Sequence, residues 1–126
     1  MELINPASLS TFVKGYSHGV VAGDFVFVAG QLAFDEDGNL IGEGDIKAQT
    51  KRVFENVSTV LEEAGSSLSN AVYVTVYIKD LAHYRDYAEA YQEAFGGHAP
   101  ARATVQCELV LPEALVEAQV IAYRGG

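Results

Sequence analysis

The segment AVYVTVYIK, from Ala71 to Lys79, constrains the fold more than any other part of the chain. Val72, Val74, Val76 and Ile78 fall on one side and Tyr73, Thr75, Tyr77 and Lys79 on the other. Successive strand side chains point to opposite faces, so this alternation predicts a strand with one apolar face. It stands between two stretches whose period is helical. From Asp45, residues Ile46, Thr50, Val53, Val57, Val60, Leu61 and Ala64 recur at spacings of three and four. Asp45 is placed to cap the first turn and Gly65 to close the last, which gives an amphipathic helix of about five turns. After Asp80 the helical spacing returns at Tyr84, Tyr87, Ala88, Tyr91, Ala94 and Phe95 and stops at Gly96 and Gly97. Aromatic residues three and four apart read as the packing face of that helix rather than as a cofactor box.

The remaining elements are strands. Val20 to Phe34 is rich in β-branched and aromatic residues and breaks at Gly23 and Asp24, so it reads as two strands and a tight turn. Asp37 and Gly38 mark the next turn; Asp35, Glu36 and Asp37 lack the ligand spacing and closing glutamate of a calcium loop. Two more strands follow late in the chain, in Pro100 to Glu108 and Val116 to Ala122. The order strand, strand, helix, strand, helix, strand, strand predicts an α+β fold: a mixed or antiparallel sheet with two helices on one face. The other face, assigned Tyr73, Thr75, Tyr77 and the Arg102 row, is semi-polar and suits a partner copy, so a homo-oligomer is expected. With 126 residues, 3 prolines and no repeat, residues 1–126 read as a single domain.

Charge narrows the partners. With 17 acidic residues against 8 basic ones the net charge is -9, a field that repels nucleic acid and anionic membranes. One cysteine, no basic and apolar leader, and no apolar run near the ~20 residues of a membrane span predict a soluble, cytoplasmic protein. No spacing of histidine, cysteine and acid suggests a metal.

The last two strands carry the candidate chemistry. Arg102, Thr104, Gln106 and Glu108 share one side of the first, and Ala103, Val105, Cys107 and Leu109 share the other. In the second, Glu117 and Gln119 share a face with Ile121 and Tyr123. A guanidinium is a planar fork of donors that matches a carboxylate, so a small carboxylate is the first ligand to consider. Cys107, on the apolar side, reads as a small core residue and not as a nucleophile. His18 follows Tyr16 on one face of an extended segment and is a candidate for proton transfer, since imidazoles titrate near neutral pH. His83 and His98 are given no role.

Gly15-Tyr16-Ser17, VFVAGQ at Val26 to Gln31, DIKAQTKRVFENVSTVLEEAGSSL at Asp45 to Leu68, VTVYIKDL at Val74 to Leu81, PARATV at Pro100 to Val105, and VEAQVIA at the end are the pieces of a known pattern. Over nearly its whole length the chain resembles the RidA family, also called YjgF. The resemblance implies a chorismate-mutase-like fold and a homotrimer with clefts between subunits. It also implies deamination of reactive imine and enamine acids such as 2-aminoacrylate, without a cofactor. It carries the carboxylate-gripping role to Arg102 and substrate contacts to Tyr16, Gly30, Ala29 and Thr104. Three positions depart from the family's active pattern. Gln119 stands where a glutamate positions and activates water, Ala29 where a serine is usual, and Ala88 where an asparagine is usual. Glutamine can orient a water but cannot take its proton at neutral pH. Glu117 lies on the same face about 7 Å away along the strand and is the candidate base. The alternative is a non-catalytic binder of small carboxylates in the same cleft. Ribonuclease and chaperone roles attached to parts of this family fit the net charge poorly.

Overall fold

A computed structural model describes residues 1–9 and 15–125. The helical stretches form where their period lies. Helix α1 spans Ile46–Glu63, and Asp45 Oδ1 accepts the Ala48 amide at 3.1 Å as its N-cap. After the last turn Gly65 takes φ +85° while the Ser66 amide returns to the Leu61 carbonyl at 2.8 Å. Helix α2 spans Tyr84–Phe95 and ends on Gly96 in the left-handed region that glycine tolerates. Phe54 of α1 meets the rings of Tyr91 and Phe95 edge-on at 5.3 and 5.2 Å, which locks the two helices together. Among the described residues no helix is long and apolar enough to cross a membrane.

Six strands make one sheet: β1 Glu2–Ile4, β2 Gly19–Ala22, β3 Phe25–Gln31, β4 Ala71–Ile78, β5 Ala101–Gln106 and β6 Val116–Tyr123. Their order is β1-β2-β3-β6-β4-β5. Every pair is antiparallel except β4 and β5, which run parallel because α2 carries the chain back between them. The sheet is therefore mixed, as read from the sequence. Its inner face buries Val26, Val28, Val74, Val76, Ala118 and Val120 beneath the helices. Short β1, paired to β2, and the 3-10 turns at Leu68–Asn70 and Leu81–His83 lack a periodic signal and were not anticipated.

Two readings of side-chain direction are corrected. A register shift between Ala71 and Tyr73 turns Val72 out of the apolar row, leaving it 45% exposed. The larger correction concerns β5. It does not pair with β6, because β4 lies between them. Val74 sits beside Arg102 and Val76 beside Thr104, so the arginine row lies on the helix side. Thr75 sits beside both Gln119 and Ala103, which puts these on the open side. β5 is an edge strand, where the inner face covers only the rim of α2 and tolerates long polar side chains. Glu108 lies beyond the end of the strand. The open face is consequently more apolar than expected: Phe25, Phe27, Tyr73, Val105 and Tyr123 are all 40–45% exposed.

Candidate functional site

The candidate residues fall into groups on the two faces of the sheet. On the helix side, Arg102 reaches from β5 over the aromatic stripe of α2. Its guanidinium carbon lies 4.6 Å from the ring centre of Tyr91 and 5.7 Å from that of Tyr87. Arg102 Nη2 donates to the Tyr84 hydroxyl at 3.0 Å. The ion pairs of the described residues are Lys47–Glu89, Arg52–Glu36 and Arg124–Glu2, so none of them neutralises Arg102. Thr104 is half-buried, its hydroxyl 3.2 Å from that of Tyr87. Burial pushes the Tyr91 phenol up to about 12 despite the opposing pull of Arg102, and burial likewise raises Tyr87. An opening of about 490 Å³ lies alongside, lined by Ala88, Tyr91, Gln92, His98, Pro100 and Arg102.

On the open side, β6 presents Glu117 and Gln119. The Tyr77 hydroxyl donates to Gln119 Oε1 at 3.2 Å. Glu117 has no hydrogen-bond or ion-pair partner among the described residues, and burial raises its carboxyl above the ordinary carboxylate range. It leans over Gly30, where an added Cβ would stand 2.1 Å from Glu117 Oε2, so the close approach of β3 and this carboxylate requires glycine. A hollow of about 180 Å³ beside them is lined by Tyr77, Cys107, Leu109, Val110, Glu117 and Gln119. Cys107 is therefore a half-buried wall residue and not the core residue expected from its position, because it lies past the end of β5.

A third group sits where the chain enters β2. Tyr16 is 58% exposed, with its ring edge-on to His18 at 6.4 Å. His18 is buried; its Nδ1 lies 3.2 Å from Gln31 Nε2, and its carbonyl accepts the Ala29 amide at 2.8 Å. Gln31 Nε2 also donates to the Ala29 carbonyl at 3.1 Å, so His18 and Gln31 together fix the backbone just before Gly30. Within one chain, then, Gly30, Glu117 and Gln119 are brought together, and Arg102 and Thr104 face away from them. Among the described residues no three His, Cys, Asp or Glu side chains converge to hold a metal. The sequence reading missed Tyr84, Tyr91 and Tyr77 as neighbours of site residues. The spacing of the α2 tyrosines shows that they share a face, but not that an arginine lies across it.

A family model described as Endoribonuclease L-PSP matches residues 8–124. The chain belongs to this family, which is the RidA/YjgF family. A RutC family protein of Pyrococcus abyssi is 47% identical over 109 residues, 86% of each chain. RidA from an Antarctic Psychrobacter is 34% identical and superposes with a TM-score of 0.89 over 98% of this chain and 99% of that one. Escherichia coli TdcF, solved with bound serine, is 27% identical with a TM-score of 0.90 over 99% of this chain and all of that one. The two superpositions thus extend over 98–99% of this chain.

Proposed function

We propose that the protein hydrolyses reactive 2-imino and enamino acids to 2-keto acids and ammonia, in clefts formed between copies of the chain. The observation that carries this reading is Arg102: a charge without an acidic partner, stacked on Tyr91 and held by Tyr84 beside an opening. Such a fork is suited to a carboxylate. A ligand so held keeps its imine carbon fixed relative to an attacking water, which supplies several kcal/mol of the rate enhancement. The enamine first takes a proton on carbon to become the imine. Water then adds to the C=N carbon, its proton passes to the nitrogen, and the adduct breaks its C–N bond to release ammonia and the 2-keto acid.

Glu117 is the proposed proton carrier, since its raised carboxyl sits nearer the working pH than an ordinary carboxylate. Gln119, held by Tyr77, orients the water. Because Arg102 and Glu117 lie on opposite sides of one sheet, a ligand touching both takes them from different copies. The apolar open face, with Phe25, Phe27 and Tyr123, supports assembly, and a homotrimer is the form proposed. The serine bound to the TdcF relative supports a small amino-acid-like ligand. The second reading, a carboxylate binder without turnover, is favoured by one feature: Gln119 cannot act as a base.

A coupled assay tests the two readings. Threonine dehydratase generates the imine in the presence of semicarbazide, and 2-keto acid release is followed with native protein and with Arg102→Ala. Release above the no-protein background that disappears in Arg102→Ala supports hydrolysis. Background release together with saturable binding of 2-ketobutyrate supports the binder.

A further inference from the structure

We infer that Tyr84 is a second ligand-binding residue, placing a phenolic donor beside the Arg102 fork; this rests on the carboxylate site proposed above. Arg102 Nη2 donates to the Tyr84 hydroxyl at 3.0 Å, so the phenolic oxygen is the acceptor in that bond. A phenol has one proton of its own, and with its oxygen accepting from the guanidinium that proton points elsewhere. Among the described residues nothing else bonds this oxygen. Tyr84 is 40% exposed, so the donor is open to solvent and to a ligand.

The neighbours hold this pair in place. Tyr91 covers one face of the guanidinium at 4.6 Å. The Tyr84 ring meets Tyr87 edge-on at 5.6 Å, which fixes the phenol from behind. Tyr87 in turn is held by Thr104 at 3.2 Å. The tyrosine stripe thus has two uses: Tyr87 and Tyr91 pack, and Tyr84 extends the anion-binding edge. A carboxylate takes one oxygen to the free guanidinium edge and the other to the Tyr84 O–H. Ala88, one helical turn along α2, is a methyl group in the wall of the same opening and offers no donor of its own. Gln92 and His98 supply the other polar side chains of that wall, and Tyr84 stands at the guanidinium itself, the one of these groups hydrogen-bonded to Arg102.

Binding of 2-ketobutyrate is measured by calorimetry for native protein, Tyr84→Phe, Arg102→Lys and the double variant. Tyr84→Phe keeps the ring and removes one hydrogen bond to a charged group, so Kd is expected to rise about 10-fold or more. Arg102→Lys keeps the charge and loses the fork; adding Tyr84→Phe to it is expected to weaken binding further. Tyr84→Phe binding within twofold of native, while Arg102→Lys is weakened, overturns the role of Tyr84 and leaves the arginine site standing. A double variant no weaker than Arg102→Lys overturns direct contact, because Tyr84 then acts only through the arginine. Native protein that binds no carboxylate overturns the site itself. Circular dichroism of each variant confirms that the fold is retained.

Discussion

Replacing Gly30 with alanine is a selective way to disturb the proposed proton carrier. The new methyl would stand 2.1 Å from Glu117 Oε2, where ordinary contact begins at 3.4 Å, so the carboxylate oxygen must retreat by about 1.3 Å. Gly30 is not among the residues with positive φ, so alanine adds no backbone strain there. If Glu117 stayed in place, overpacking would cost about 1–3 kcal/mol. Its side chain is flexible and half-exposed, and an imperfect rotamer costs about 0.5–1.5 kcal/mol, so the carboxylate swings outward instead. Moving outward removes the burial that raises its carboxyl, and the group returns toward the ordinary carboxylate range. Carbon-13 NMR titration of the Glu117 carboxyl reads this directly: raised in native protein, lower in Gly30→Ala. Imine hydrolysis should fall by about 10-fold or more, because the displaced carboxylate no longer carries the proton. An identical titration curve and an unchanged rate in Gly30→Ala would refute the placement of Glu117.

Three further outcomes follow from the same geometry. A carboxyl raised in the folded state holds protons that the unfolded chain has released, so between its ordinary and raised values stability falls as pH rises. Glu117→Gln should flatten that part of the profile in urea unfolding at fixed protein concentration; an unchanged slope would show that Glu117 is not the group responsible. Gln119→Glu restores an acid beside Tyr77 and should raise kcat, with a rate at or below native meaning that Gln119 does not limit proton transfer. Light scattering should give about three times the 13.5 kDa chain mass, and a monomeric mass would contradict a cleft shared between copies.

Local signals made much of the fold legible. The Asp45 cap and Gly65 stop bounded α1, and Gly96 bounded α2, because caps act within one turn. The alternation of β4 held from Tyr73 onward and failed at Val72, since a register shift leaves no mark in the pattern of apolar residues. Strand periodicity separated Arg102 and Thr104 from Ala103 and Val105 correctly, but it carries no information on which side meets the helices. That depends on the parallel pairing of β5 with β4, a tertiary property. The usual rule that the apolar side faces inward misled here: Val105 faces outward on the open face, and Arg102 lies over tyrosine rings. The family resemblance singled out Arg102, Gly30 and Gln119. It gave no sign of Tyr84, because its contact with the arginine joins α2 to β5 across 18 residues of sequence.

The central proposal is that each hydrolytic cleft takes Arg102 from one copy and Glu117 from another, and co-expression of two damaged chains tests it directly. Arg102→Ala and Glu117→Gln should each have little activity as pure oligomers. In mixed oligomers from equal amounts, about one cleft in four draws an intact arginine from one chain and an intact glutamate from its neighbour. Imine hydrolysis should then recover to about a quarter of the native rate. Mixed oligomers no more active than the average of the two parents would contradict a cleft shared between chains.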